Sequence, residues 1–364
     1  MLFSKYLKWI TWLSLLSLMV VAIVNFTVNP GRIYPSLLTS NKSPRELVEQ
    51  LVQSDFGVHH PENGWNERDI KHALALHSTS DQCAVIGSSH IMQISSVGVI
   101  TSLSDNCPSL INLGVSGATL EDYLALSETI LQNKNPPKVI VFGIDPWVLN
   151  FNRDIRYKRY SHQYLRMKTK LIGGSSYNPS DTYLGLLQNL INREYFLRSI
   201  SIIGAEGNRL IQFAPEFDQQ VGMKNSVILP DGSLIYSAKN IRKVNSNKIS
   251  GINKYKIING QWYEREAVEL FTLLVKFLQQ QEFKIIFVLT PYHPTVWSIM
   301  EQTVVLAMKA VELKIHEIAK SAGVQVIGSY HPGKIGCRAD EFIDNMHAAG
   351  TCLNKLEHLS IFYQ

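Results

Sequence analysis

CAVIGSSH, residues 83–90, is the stretch on which the fold turns. Cys83 to Gly87 run without a charge, and the run stops at Ser88-Ser89-His90. A short, continuous apolar run is the mark of a strand buried on both faces, as in parallel sheets. Ser109–Leu113 (SLINL) and Lys138–Gly143 (KVIVFG) repeat the pattern, with a helix expected at Leu120–Gln132 between them. The pattern resumes with a helix at about Trp262–Gln281, the strand Lys284–Leu289 (KIIFVL), a long helix at about Pro294–Ala322 and the strand Val324–Ile327. Alternating strands and helices imply an α/β chain: a doubly wound, five-stranded parallel sheet with helices on both faces, three layers in all.

Between these two blocks, from about Pro146 to Gly260, the chain is polar and irregular, and reads as an insertion. Pro230–Ser233 (PDGS) is a turn signal between short strands. Between Phe151 and Lys170 seven basic residues face one acid, Asp154, while the whole chain carries +5. One segment therefore holds the excess, which excludes a globally basic nucleic-acid binder. Two functional readings stand beside a plain solvated basic face. The segment can hold an anionic glycan, with Tyr157, Tyr160 and Tyr164 stacking on sugar rings, or it can touch anionic lipid headgroups.

Upstream, residues 44–56 and 66–77 read as helices, and residues 29–35 (NPGRIYP) as a turn-rich stretch. Leu7–Val28 is apolar apart from Lys8. About 20 apolar residues cover a bilayer core of about 30 Å. Lys5 and Lys8 at its start keep that end cytoplasmic, so a single-pass anchor with the rest of the chain outside the cytoplasm is expected, with a cleaved signal peptide as the rival. The expected organisation is an anchor at 1–30, a juxtamembrane helical segment at 31–80, and a domain at 81–364 carrying the insertion at about 146–260. At 364 residues, 45% hydrophobic and 18% charged, the chain is neither disordered nor polytopic. Four cysteines suit an oxidising compartment. Cys83 with Cys107, and Cys337 with Cys352, are candidate pairs; three connectivities and four unpaired thiols stay open.

Ligands of open α/β sheets bind beyond the carboxyl ends of the strands. There stand Ser89, Asn112 to Thr119, Asp145, His293 and, past a loop, Asp344 and His347. Serine becomes a nucleophile when a base takes its proton, and a carboxylate holds that base in the right tautomer. Asp344 and His347, three apart, share a face of a helical turn. Backbone N–H groups around Ser89 and Gly117 can stabilise an oxyanion. Asn112 reads as tying strand-end loops together, and His293 as a substrate contact or a rim residue. Spacing gives no support to a metal site at His90, His293 and His347, and no cofactor is implied.

On these residues the chain resembles the SGNH (GDSL-like) hydrolases. Gly87-Ser88-Ser89 looks like their nucleophile turn, with Ser88 where Asp is usual. Asn112 to Thr119 looks like the block that carries an oxyanion glycine, here Gly117. Asp344 and His347 match the closing D-x-x-H. The third block departs: Gly143-Ile144-Asp145 puts a carboxylate where the family has an Asn donor, and an ionised Asp145 cannot donate. The resemblance covers roughly 80–145 and 280–350. It implies a flavodoxin-like sandwich and a Ser89–His347–Asp344 triad, with Gly117, Asn112, Asp145 and His293 around the oxyanion and substrate. Its membrane-anchored subgroup implies transfer or removal of an acyl group, acetyl first, on a cell-envelope polysaccharide at the periplasmic side, beside a membrane-bound O-acyltransferase. The alternative is a catalytically weak glycan-binding or assembly factor.

Overall fold

A computed structural model describes residues 2–28, 44–60, 66–97, 102–151, 154–173, 187, 190–202, 212–220, 223–238, 262–299 and 302–363. The expected turn-rich stretch 29–35, Arg153, and 174–186, 203–211 and 239–261 of the expected insertion lie outside them.

The elements in chain order begin with helix α1 (Leu2–Val28), α2 (Pro44–Val52), strand β1 (Val58–His59), α3 (Glu67–His77), β2 (Cys83–Gly87) and β3 (Leu110–Asn112). Next come α4 (Leu120–Leu131), β4 (Val139–Gly143), α5 (Ser161–Ile172), α6 (Arg193–Ile202), α7 (Phe217–Gln220), β5 (Val227–Ile228) and β6 (Leu234–Ile235). The rest is α8 (Arg265–Gln280), β7 (Lys284–Leu289), α9 (Pro294–Ile299), α10 (Gln302–Ala322), β8 (Gln325–Gly328), α11 (Pro332–Ile335), α12 (Gly350–Leu353) and β9 (Ser360–Ile361).

The main sheet has six strands in the order β3-β2-β4-β7-β8-β9. The first five are parallel; β9 pairs antiparallel with β8, Ile327 opposite Ser360. The expected five-stranded sheet is thus corrected to a mostly parallel six-stranded one. Its last member is a two-residue edge strand too short to leave an apolar run. A second, three-stranded antiparallel sheet joins β1 to the β5–β6 hairpin, whose turn is the expected PDGS.

Alternate side chains of a strand point to opposite faces, and this divides the core in two. Ala84, Ile86, Ile140, Phe142, Ile285 and Phe287 face a cluster shared with α2, α3, α4, α5, α8 and α10. Val85, Leu110, Val141, Ile286, Val288 and Ile327 face a thinner cluster made with Ile91, Ile94, Leu103, Cys107 and the 335–356 segment. The second face carries only short helices, α11 and α12, through Ile335, Cys352 and Leu353. The connection from β2 to β3 steps one way along the sheet and the later crossovers step the other. Right-handed crossovers place these on opposite faces, and the described residues of the first connection form no long helix. Both disulfides, Cys83–Cys107 and Cys337–Cys352, lie in this thinner layer, where they stand in for helix packing.

α1 is long and apolar enough to cross a membrane over Lys5–Val28.

Candidate active site

The order of strands reverses at β2, because β3 lies on one side of it and β4 on the other. The crevice beyond their carboxyl ends is where the strand-end residues gather. Gly87 and Gly143 are register partners there. A Cβ on Gly143 would lie 2.1 Å from Ile91 Cγ2, and one on Gly114 would lie 2.6 Å from Ile91 Cδ1. These glycines make a floor on which Ile91 seats the turn after β2, leaving Ser89 half-buried at its rim.

The Ser89 hydroxyl lies 2.9 Å from Nε2 of His347. Nδ1 of His347 lies 2.9 Å from both Asp344 oxygens. With the Nδ1 proton donated to Asp344, Nε2 accepts from Ser89. Asp344 Oδ1 also accepts the N–H groups of Met346 (2.7 Å) and His347 (2.8 Å). Burial alone would raise the Asp344 carboxyl; the hydrogen bond and charge of His347 and these two N–H groups outweigh it and bring it down to about 2. The expected helical turn is not what places the pair. Asp344 and His347 sit in a tight loop closed by the Phe342–Ala348 bridge and by the Ile343 N–H donating to His347 O (2.9 Å). Gln93 Nε2 donates to Ala348 O (2.6 Å), which fastens this loop to the serine turn.

Asn112 is fully employed in structure. Its Nδ2 donates to Ile91 O (2.7 Å) and Ile94 O (2.8 Å), and its Oδ1 accepts from the Gly114 N–H (2.9 Å). Gly117 is buried with φ 62°, the left-handed region. Asp145 is buried, with Oδ1 3.5 Å from Nδ1 of His90. The His90 ring in turn contacts His347, Tyr292 and Trp147 at centroid distances of 4.7, 4.9 and 5.5 Å. His293 does not reach the serine: Nδ1 meets the Thr295 hydroxyl (2.7 Å) and Nε2 meets Ala339 O (3.1 Å). His293 is a strut under the loop that carries Asp344, and burial lowers its pKa.

Sequence reasoning missed the part played by α3. Glu67 accepts the Ser116 N–H (2.6 Å) and hydroxyl (3.2 Å). Arg68 forks onto Asp122 at 2.7 and 2.8 Å, and Asp122 closes the N-terminus of α4, just past Gly117. Lys71 donates to Asn112 O (2.9 Å) and to Gly232 O. Three charged side chains of one short helix thus hold the Gly117 turn and the insertion's hairpin. Asp231 binds that hairpin to Ser95 and Ser96 at 2.7 and 2.9 Å. Tyr236, just past it, donates to Ser89 O at 3.3 Å. The one signal in the sequence was the PDGS turn, which announces a hairpin but not its address.

Four cations of the basic segment meet acids. Arg156 pairs with Asp154 (2.7 Å), Arg159 with Asp69 (2.9 Å), and Arg166 (3.3 Å) and Lys170 (2.6 Å) with the buried Glu128. Tyr160 stacks on His72 at 3.4 Å, and Tyr157 packs on Tyr164. Of the three tyrosines offered for stacking on sugar rings, Tyr157 and Tyr164 are buried and Tyr160 is half-buried, and four of the seven basic residues neutralise acids of α3, α4 and the segment itself.

No family model matches the chain, and no curated protein matches it at a significant level. The geometry alone carries the functional reading.

Proposed function

We propose that the chain is a membrane-anchored SGNH-type acyltransferase or esterase, acting outside the cytoplasm on a cell-envelope polysaccharide. The carrying observation is the relay of Ser89, His347 and Asp344, joined by contacts of 2.9 Å at the carboxyl end of a parallel sheet. In this reading the two-faced sheet is the doubly wound, three-layer sandwich of that superfamily, with a pared-down second layer. The apolar α1 with Lys5 and Lys8 at its start, and the two disulfides, support an extracytoplasmic address.

Ser89 Oγ attacks the acyl carbonyl carbon while its proton passes to His347 Nε2. The charge on the carbonyl oxygen is met by backbone N–H groups. Ser116 N–H already serves Glu67, so the donors are those of Ser89 and Gly117. Collapse breaks the bond to the donor alcohol, which leaves with the proton from His347. The acyl-Ser89 ester is then attacked by a sugar hydroxyl in transfer, or by water in hydrolysis, with His347 as base. Asp344 stays ionised and holds the imidazole. A membrane-bound O-acyltransferase is the proposed source of acyl groups.

A second reading, a weakly catalytic assembly or glycan-binding factor, is favoured by one observation: the third strand end offers Asp145 against His90 rather than an amide donor. Full-length protein in detergent, treated with a serine-reactive fluorophosphonate, separates the two. Stoichiometric labelling of the parent, lost in Ser89→Ala and His347→Ala, supports the enzyme. A folded parent that takes no label supports the factor.

A further inference from the structure

α1 is exposed at every position from Lys5 to Val20, and becomes covered only over its last two turns. What covers it there is α6. Asn25, fully buried, donates through Nδ2 to Leu190 O (2.8 Å) and Asn192 O (3.3 Å), and accepts from the Ser199 hydroxyl (3.0 Å). Phe26 packs with Tyr195. Tyr195 and Ser199 are four apart and share one face of α6. The opposite face carries Leu197 and Ile200, 52% and 47% exposed, and Ile191 just ahead of the helix is 55% exposed.

Depth decides what meets that face. A bilayer core of about 30 Å takes about 20 residues. Counted from Lys8, whose charge stays at the headgroups, the span ends near Val28. The stretch Val21–Val28 then lies in the last ~10 Å of the hydrocarbon and its boundary. An amide at that depth needs partners, because water is scarce, and Asn25 has them in the 190–199 segment. α6 is therefore held beside α1 at lipid depth, with apolar side chains on its far face and the exposed Arg193 at its start, near the phosphates.

We propose that α6 is a second membrane element, lying in the bilayer boundary beside the end of α1 with Ile191, Leu197 and Ile200 among the acyl chains. The two contacts together fix the tilt of the domain, and so the height of Ser89 above the membrane. The proposal rests on α1 spanning the bilayer, and goes beyond the catalytic reading.

The test uses single introduced cysteines, since the native four are all in disulfides. Full-length Leu197→Cys and Ile200→Cys carry an environment-sensitive fluorophore in phosphatidylcholine–phosphatidylglycerol vesicles. Leu16→Cys in α1 and Lys134→Cys on the domain surface are the controls. Nitroxide-tailed lipid is expected to cut emission at 197 and 200 about twofold or more, as at 16, while iodide acts only at 134. Iodide quenching at 197 and 200 with position 16 in lipid overturns the proposal alone. Shielding of 197 and 200 from both quenchers overturns it in favour of a protein partner on that face. Iodide access at 16 overturns the anchor reading, and this proposal with it.

Discussion

Lys71 has both ends of its environment fixed: its ammonium is buried, and its donors hold the carbonyls of Asn112 and Gly232. Burial brings its pKa down from 10.5 to about 8, against the opposing pull of Glu67 and Asp231. The folded chain therefore binds this proton less tightly than the unfolded chain. Between about pH 8 and 10.5 the unfolded state holds more protons, so this group makes stability rise with pH across that window. Urea unfolding midpoints of the parent should rise there relative to Lys71→Met, which has no such proton; parallel curves would refute it. Arg68→Ala leaves the buried Asp122 carboxylate without its fork and should cost about 3–5 kcal/mol in the same assay. The serine and the D-x-x-H pair could be read from the sequence because they follow apolar runs whose ends are plain. Glu67, Arg68 and Lys71 could not: charges on an amphipathic helix look like a solvated face until a second layer of chain is folded over them.

The strands are the elements whose bounds came closest to expectation, Cys83–Gly87 and Lys284–Leu289 among them. Burial on both faces demands apolar residues at every position, and a charge or turn residue ends the run. The loop that carries Asp344 and His347 offers no such pattern. It is held by Cys337–Cys352, which bracket it at a separation of 15 residues. Closing a loop of that size contributes about 3 kcal/mol. Cys337→Ser/Cys352→Ser should lose about that much stability. It should also take fluorophosphonate more slowly at temperatures where circular dichroism still reports a folded chain. Unchanged labelling kinetics would mean that the Phe342–Ala348 bridge and the His293 strut hold the base alone.

At the scale of the molecule, Asn25 couples the apolar helix to the domain. Asn25→Leu removes the amide that Leu190 O and Asn192 O accept from, and leaves the Ser199 hydroxyl with Tyr195 O alone. Amide hydrogens of 190–202 should then exchange several-fold faster in the detergent-solubilised chain, with those of β2, β4 and β7 unchanged. Equal exchange in the two proteins would mean that Phe26 and Tyr195 suffice. Gly143→Ala tests the floor of the site, since its new methyl meets Ile91, which seats the serine turn. It should destabilise the chain by about 1–3 kcal/mol, as overpacking does, and slow labelling of Ser89. Sequence by itself determined the α/β class, the parallel strands, the membrane-length helix and the three residues of the relay, because apolar run length and strand-end chemistry are local. Only the tertiary structure decided which face carries the long helices, where the basic segment's charges go, and that His293 braces the loop of Asp344. Each of those depends on what packs against a side chain, and the partners include residues tens of positions away, such as Asp69 for Arg159 and Ala339 for His293.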